Sequence, residues 1–401
     1  MTSEIEEYFM HKRWLILFLL FVSRLGVGFQ FQSIGSVSIK LSKDLFFSNT
    51  EIGALIGMFM LPGVFLAFPS GWLGRWASDK LIVTIGLLCL SIGGIALIFS
   101  RDFLPMGIGR FVCGIGFVFT TIYFTKMTVD WFQGRELKTA LSLLIISWPG
   151  GIALSQLIHP FIALNFGWQG AIATASVFCM FGALVISIFY EPPSKVSLET
   201  DIQPQESNLT GHEWLKTSIA AFSWSFYNAG YLVFLSFSVV NLQEAGVENY
   251  QAVFMVSLAS FLVMISIPFG GIIADKFNIS RFTVILSSSV ATLCLLTLSF
   301  GKFALILCVL FGTIGLCSGG IIIALTGQAM APERRAYGMG VYQTWYFVLS
   351  AAAPLIGGWL YDLTNSANTA MLFSAFFFTL SGIFYFVFLK IVSKDNRASA
   401  S

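Results

Sequence analysis

Apolar residues in this chain gather in long unbroken runs, not in the three-and-four spacing of a helix half in water or the alternation of a sheet strand. A helix needs about 20 mostly apolar residues to cross the hydrocarbon of a bilayer. Twelve runs have that length. They are Trp14–Ile39, Glu51–Leu73, Leu81–Phe99, Leu104–Thr125, Leu137–His159 and Trp168–Tyr190, then Leu215–Val240, Tyr250–Ala274, Phe282–Phe300, Phe303–Leu325, Ala336–Leu360 and Ala370–Leu389. None alternates with the dyad period of a lipid-facing barrel strand. The pattern predicts an all-α membrane protein of twelve transmembrane helices.

The polar stretch EPPSKVSLETDIQPQESNLTGHEW lies between the sixth and seventh runs and reads as a flexible linker. It divides the chain into a bundle at 14–190 and a bundle at 215–390, joined by a linker at 191–214 and flanked by tails at 1–13 and 391–401. The two bundles repeat each other. Pro69-Ser70-Gly71 closes the second run and Pro268-Phe269-Gly270 the eighth; Gly134-Arg135-Glu136 precedes the fifth and Glu333-Arg334-Arg335 the eleventh. Both pairs are offset by 199 positions, which argues for duplication of a six-helix unit.

Alternate loops are strongly unequal in charge. One side holds Lys12, Arg13, Arg75, Lys80, Lys126, Arg135, Lys138, Lys195, Lys216, Lys276, Arg281, Arg334, Arg335, Lys390, Lys394 and Arg397; the other holds Lys40, Lys43, Arg101 and Lys302. The positive-inside rule then puts both termini in the cytosol, in a plasma membrane of bacterial inner-membrane type. The start MTSEIEEYFMHKRW lacks a short apolar segment with a cleavage site and is expected to stay as a cytosolic tail. The sequon at Asn208 falls in the linker and would then never meet the glycosylation machinery.

Composition narrows the class. Only 10% of residues are charged, against about 25% in soluble chains, so lipid must cover much of the surface. A net charge of +2 with no basic stripe excludes a nucleic-acid reader. The six cysteines all sit in apolar runs without metal-ligand spacing. No phosphate-binding loop is present, and His11, His159 and His212 are too dispersed for a metal site or a catalytic triad. Neither a cofactor nor an enzymatic activity is expected.

Several strings resemble the major facilitator superfamily, over nearly the whole chain. Gly271-Ile272-Ile273-Ala274-Asp275-Lys276-Phe277, followed by Arg281, is similar to the family's G-x-L-A-D-R loop, which helps latch the cytosolic side. The first-half copy, Gly71 to Lys80, departs from it. Arg75 stands where the family has Asp, and Asp79 follows four residues later, where it can pair with Arg135 in place of the usual latch. The resemblance thus implies a cytosolic gate of Gly71, Arg75, Asp79, Lys80, Arg135, Gly271, Asp275, Lys276, Arg281 and Arg334. Gly109-Arg110 with Gly114 and Gly116 resembles the fourth-helix motif, and Trp148-Pro149-Gly150-Gly151 partly resembles the antiporter Gly-Pro-Gly-Gly. LPGVFLAFPSGWLG, TKMTVDWFQGRELKTALSLLIISWPGGIAL and APERRAYGMGVYQTWY are similar to the cyanate-transporter-like branch.

Two charged side chains fall well inside predicted helices, Arg24 and Arg110, while every Asp and Glu falls in a loop, a tail or at a helix end. An Arg at the bilayer centre costs about 2.5–3.5 kcal/mol on insertion scales, so it needs a partner or a wet cavity. A planar guanidinium suits the oxygens of a small anion. The structural alternative is that backbone carbonyls or aromatic faces hold each Arg. Further polar and aromatic candidates for the cavity are Gln30, Gln32, Tyr123, Trp148, Gln156, Tyr227, Asn228, Tyr231, Tyr342, Gln343 and Trp345. His159, just before Pro160, is expected at the outer interface. Gly53 and Gly57, and the glycines at 312, 315, 319 and 320, predict close helix packing.

The expected protein is a monomeric, bilayer-embedded carrier of a small anionic solute by alternating access. A carrier of neutral or other organic solutes, including drug-type efflux, is the alternative within the class. A non-transporting membrane sensor on the same fold is the alternative outside it.

Overall fold

A bilayer leaves the backbone no partner but itself, so apolar runs of this length close their hydrogen bonds as helices. In a computed structural model, residues 2–70, 73–132, 136–193, 209–331 and 334–398 are described, and among them all regular structure is helical. Eleven continuous stretches are long and apolar enough to span a membrane. One of them, Glu136–Phe189, has 54 residues and turns at Gly167, whose φ of 69° and ψ of 176° only glycine adopts readily. It is therefore two passes, and the total is the predicted twelve. These are α1 (Thr2–Phe31), α2 (Asn49–Ser70), α3 (Asp79–Ile98), α4 (Phe103–Trp131), α5 (136–166), α6 (168–189), α7 (Gly211–Glu244), α8 (Asn249–Phe277), α9 (Ser280–Leu298), α10 (Ala304–Ala329), α11 (Arg335–Thr364) and α12 (Ala367–Ala398).

Three helices differ from expectation. The first stops at Phe31 instead of running to Ile39, and the chain rewinds as two short helices, Ser33–Ser36 and Ser38–Leu45. The fifth runs on through Pro160, so His159 is not at its end. The tenth is broken into Ala304–Leu310, a wide π turn at Phe311–Gly315, and short pieces at Gly319–Ile323 and Thr326–Ala329. Helix starts follow local rules. Ser48 with Glu51, and Thr210 with Glu213, form reciprocal capping boxes that open α2 and α7.

The chain divides into two compact units. The first comprises Met1–Lys40 and Pro69–Asp201, the second Leu41–Phe68 and Ile202–Ser401. In the first, α1 lies along α5 and α6, and α3 packs on α4 and on the α5–α6 pair. The crossing of α1 and α5 is backbone on backbone. A Cβ on Gly28 would lie 2.4 Å from the Trp148 carbonyl, and one on Gly151 would lie 2.1 Å from that of Leu25. In the second unit, α7 packs on α11 and α12, α9 on α12, and α2 on α11. Sequence order groups α2 with the first bundle, whereas its contacts group it with α11. A Cβ on Gly53 would lie 2.0 Å from the Pro354 carbonyl, and one on Gly57 would lie 2.1 Å from that of Ala351.

At the basic ends of the helices each unit ties its first and fifth members together, with the charges exchanged. Arg13 of α1 meets Glu136 of α5 at 2.6 Å. Glu213 of α7 meets Arg334, next to α11, at 2.8 Å. Glu213 also accepts from Thr210 N and Oγ1, both at 2.9 Å, and from Ala331 N at 3.0 Å. Glu213→Ala removes a helix cap and a tie together. It is expected to cost about 1–3 kcal/mol, read as a lower thermal midpoint of the purified protein. Glu213→Gln, which keeps an acceptor oxygen, is expected to cost less. Beyond α6, Lys12 donates to Glu191 at 2.5 Å and holds that carboxyl below its usual range.

Candidate functional site

Arg24 projects from the middle third of the Lys12–Phe31 span and stays half-buried. Its Nη1 donates to the Leu144 carbonyl of α5 at 3.0 Å. Two local features explain that partner. Pro149 lacks an N–H, which frees the carbonyl of Ile145 one turn before it, next to Leu144. The Gly28–Gly151 crossing brings the two backbones close one turn beyond Arg24. Trp148 sits beside the crossing against Phe31 and Phe117, at 5.1 and 4.8 Å between ring centroids.

Arg110 has another use than the one expected of it. It is fully buried, with Nη1 donating to Gln30 O at 3.2 Å and Nη2 to Phe31 O at 2.9 Å. The last carbonyls of a helix have no partner within it, and the guanidinium fork serves those at the end of α1. Arg110 is thus a brace for the break after Phe31, closed off from solute. Gln30 is drawn into the same cluster, donating to Leu90 O at 3.1 Å and to Cys113 Sγ at 3.7 Å. Gln32, on the turn after α1, and Gln156, in α5, are buried too.

His159 is fully buried, which corrects its expected place at the interface. Its Nδ1 lies 2.7 Å from Ser155 Oγ, and Ser155 Oγ lies 3.1 Å from that of Ser36. The Phe29 ring tilts over the imidazole at 4.2 Å. Tyr123 is also spoken for, donating to the Ser70 carbonyl at 3.0 Å near the basic end of α4.

In the second unit, Tyr227 and Tyr231 do share a face of α7, and both are buried. Tyr227 donates to the Leu316 carbonyl of broken α10 at 2.6 Å, and Tyr231 stacks near Phe234. Asn228 is half-buried and donates back to Trp224 O at 2.8 Å. Ser266 and Ser287 add hydroxyls to the carbonyls of Gly312 and Gly315, at 2.8 and 2.7 Å. Tyr342 is fully buried and Gln343 half-buried. Trp345 packs on Phe222 and lines a cavity of about 400 Å³ with Phe68, Trp214, Tyr337 and Thr344.

Not all of the expected gate residues are among those described. Gly71 and Arg135 lie outside the described residues, as does the side chain of Arg75. Asp79 pairs with Lys126, which also reaches Asp130 at 3.2 Å. Lys80 is half-buried beside it in sequence. Gly271 has open space where a Cβ would be, so close crossing is not its reason. Gly270 is the tight one, with a Cβ position 2.3 Å from the Cys317 carbonyl. Asp275, Lys276 and Arg281 are exposed, and Lys276 lies over the Phe277 ring.

Sequence reasoning missed Asp362 at the end of α11. Its carboxylate accepts from Asn49 N and Nδ2 at 3.0 and 2.8 Å, and from Thr50 N and Oγ1 at 2.7 and 2.6 Å. A lone acid at the otherwise uncharged end of a span was the available signal. Among the described residues no cluster of three or more His, Cys, Asp or Glu could hold a metal ion.

A sequence profile described as Major Facilitator Superfamily matches residues 16–354. A probable L-galactonate transporter of Escherichia coli is 23% identical over 89% of this chain and 84% of its own. Monocarboxylate transporter 2 of Mesocricetus auratus is 22% identical over 93% of this chain and 83% of its own. An uncharacterized transporter of Buchnera aphidicola is 24% identical over 78% and 81%. Among solved structures, a bacterial homologue of the human lysosomal transporter Spinster, inward-facing and unoccupied, superposes with a TM-score of 0.77. It is 13% identical and covers 96% of this chain and 98% of that one, a likeness of fold.

Proposed function

Given that the chain belongs to the major facilitator superfamily and is a multi-pass membrane transporter of small solutes, we propose that it carries a small anion, a carboxylate foremost, by alternating access. The observation that carries this reading is Arg24. It is a guanidinium at membrane depth that keeps part of its surface open, whereas Arg110 is sealed. A planar fork of donors matches a carboxylate in geometry and charge. The names of two relatives, an L-galactonate and a monocarboxylate transporter, both describe carboxylate solutes. The strings similar to the cyanate-transporter-like branch keep small inorganic anions in the same panel. Its loop charges support both termini in the cytosol, and its bacterial relatives support a bacterial inner membrane; it is read as a monomer there.

The test is counterflow in proteoliposomes with labelled lactate, galactonate and cyanate, against choline and a neutral sugar. Arg24→Ala is expected to lower anion counterflow about 100-fold, the equivalent of losing a charge-assisted contact of ~3 kcal/mol. Arg24→Lys is expected to keep part of it, having the charge without the fork. Choline counterflow undiminished in Arg24→Ala would overturn the anion reading.

A further inference from the structure

One face of the second unit carries a groove that its helices do not fill. α8, α9 and α10 border an open cavity of about 360 Å³. Ile265, Phe269 and Ile273 of α8 form one wall and Phe282 and Leu286 of α9 the other, all of them exposed. The floor is the irregular stretch of α10. Thr313 and Ile314 lie in its wide turn, and Cys317 lies just beyond.

The dimensions select an occupant. Leu262 lines the far end of the α8 wall. Residues 262, 265, 269 and 273 fall within about 60° of one another round the helix, and Lys276 continues the same stripe. From Leu262 to Lys276 is about 21 Å at 1.5 Å per residue. That is close to one leaflet of a bilayer about 40–45 Å thick with its headgroups. Spread over about 21 Å, the 360 Å³ gives a cross-section of about 17 Å², or roughly 4–5 Å across, against about 10–12 Å for a helix with its side chains. The groove has the width of a single hydrocarbon chain. A small carboxylate has nothing to lay along such a wall.

The mouth has the opposite character. Lys276 and Arg281 are both exposed there, and neither has an ion-pair partner among the described residues. Lys276 lies over the Phe277 ring at 5.6 Å, which leaves its N–H groups to the outside. Asp275 points about 100° away from Lys276 round the helix, off the stripe. α9 opens beside them without a side-chain cap at Ile279, so the N–H groups of its first turn await an outside acceptor. An apolar slot one leaflet deep, ending in two cations and a bare helix start, is complementary to a molecule with a long chain and a phosphate.

We propose that this groove binds an anionic glycerophospholipid. One acyl chain lies between α8, α9 and α10, and the phosphate sits at the mouth against Lys276 and the first turn of α9, with Arg281 adding charge. The chain gains little by exchanging lipid neighbours for protein, since both are apolar. Selection among lipids therefore falls to the headgroup, where each basic side chain favours an anionic lipid. The site is separate from Arg24 and does not depend on which solute is carried.

The test uses the full chain in phosphatidylcholine nanodiscs with a trace of phosphatidylglycerol bearing a diazirine near the end of one acyl chain. After illumination, peptides covering 262–286 and 313–317 are expected to hold most of the label. Unlabelled phosphatidylglycerol is expected to compete about tenfold better than phosphatidylcholine, because the chains are alike and the heads differ. Lys276→Gln combined with Arg281→Gln is expected to bring that preference to about one while the label stays on the same peptides. Should the double variant aggregate, the wild type in about 1 M salt, where the screening length falls to about 3 Å, is expected to lose the preference instead. Leu286→Trp, which fills the groove from an exposed position, is expected to lower labelling of 313–317 several-fold. Label spread evenly over the outer helices overturns the proposal. So does equal competition by the two lipids, or a preference that survives both the double variant and high salt. Labelling that disappears when two chains share a nanodisc would assign the groove to a second copy and overturns it as well.

Discussion

Arg110→Ala is expected to destabilise the chain by about 3–5 kcal/mol, read as a large fall in the thermal midpoint and in the yield of monodisperse protein. The size follows from what the side chain touches. It is fully buried, and its fork holds the carbonyls of Gln30 and Phe31 where α1 ends. Truncation leaves those carbonyls short of a donor inside a membrane and opens a large void. Arg110→Lys is expected to recover only part, since one ammonium on a flexible stem lacks the second prong. Arg24→Ala, which removes a half-buried side chain with a bond to the Leu144 carbonyl, is expected to reduce counterflow with a smaller fall in the unfolding midpoint.

Gly53→Val is the second large effect, at least about 3 kcal/mol, the upper part of the range for overpacking. A Cβ at Gly53 would stand 2.0 Å from the Pro354 carbonyl oxygen and 2.7 Å from its carbon, so the clash is with backbone that cannot rotate away. Nor can α2 swing out locally. Asp362 holds the N–H groups of Asn49 and Thr50, and a Cβ at Gly358 would lie only 2.0 Å from the Asn49 carbonyl. Gly271→Ala provides the contrast. Its Cβ would meet nothing within 4 Å, and a helical Gly→Ala exchange in open space is expected to stabilise by about 0.5–1 kcal/mol. Thermal unfolding of the two proteins side by side distinguishes a seam glycine from one that merely belongs to a loop signature.

These contrasts show what the sequence could and could not disclose. The twelve passes were legible because span length and apolarity are local properties, and the glycine pair at 53 and 57 was legible because close packing needs small residues at that spacing. The breaks were not. The end of α1 depends on Arg110, about 80 positions away, and the irregular course of α10 depends on Tyr227, Ser266 and Ser287 from three other helices. His159 was misplaced because Pro160 reads as a stop, whereas a proline inside a membrane helix is tolerated when neighbours satisfy the freed carbonyl. Arg24 drew notice because a charge within an apolar run stands out in any sequence. The serines beside His159 did not stand out, since hydroxyls are common in membrane helices and only proximity gives them meaning.

The wide turn at Phe311–Gly315 puts more residues into a coil of α10 than the ordinary helical repeat holds. Deleting one residue there would close the turn to the ordinary repeat and leave the coils on either side facing as before. Ser318 would then keep Ser287, its neighbour at 2.8 Å. The same geometry lets the surplus migrate: if it slid one residue along the chain, a single side chain would revolve while the helix on either side stayed still. The tenth span can therefore re-aim individual groups in small steps without unwinding, as a crease travels along a carpet.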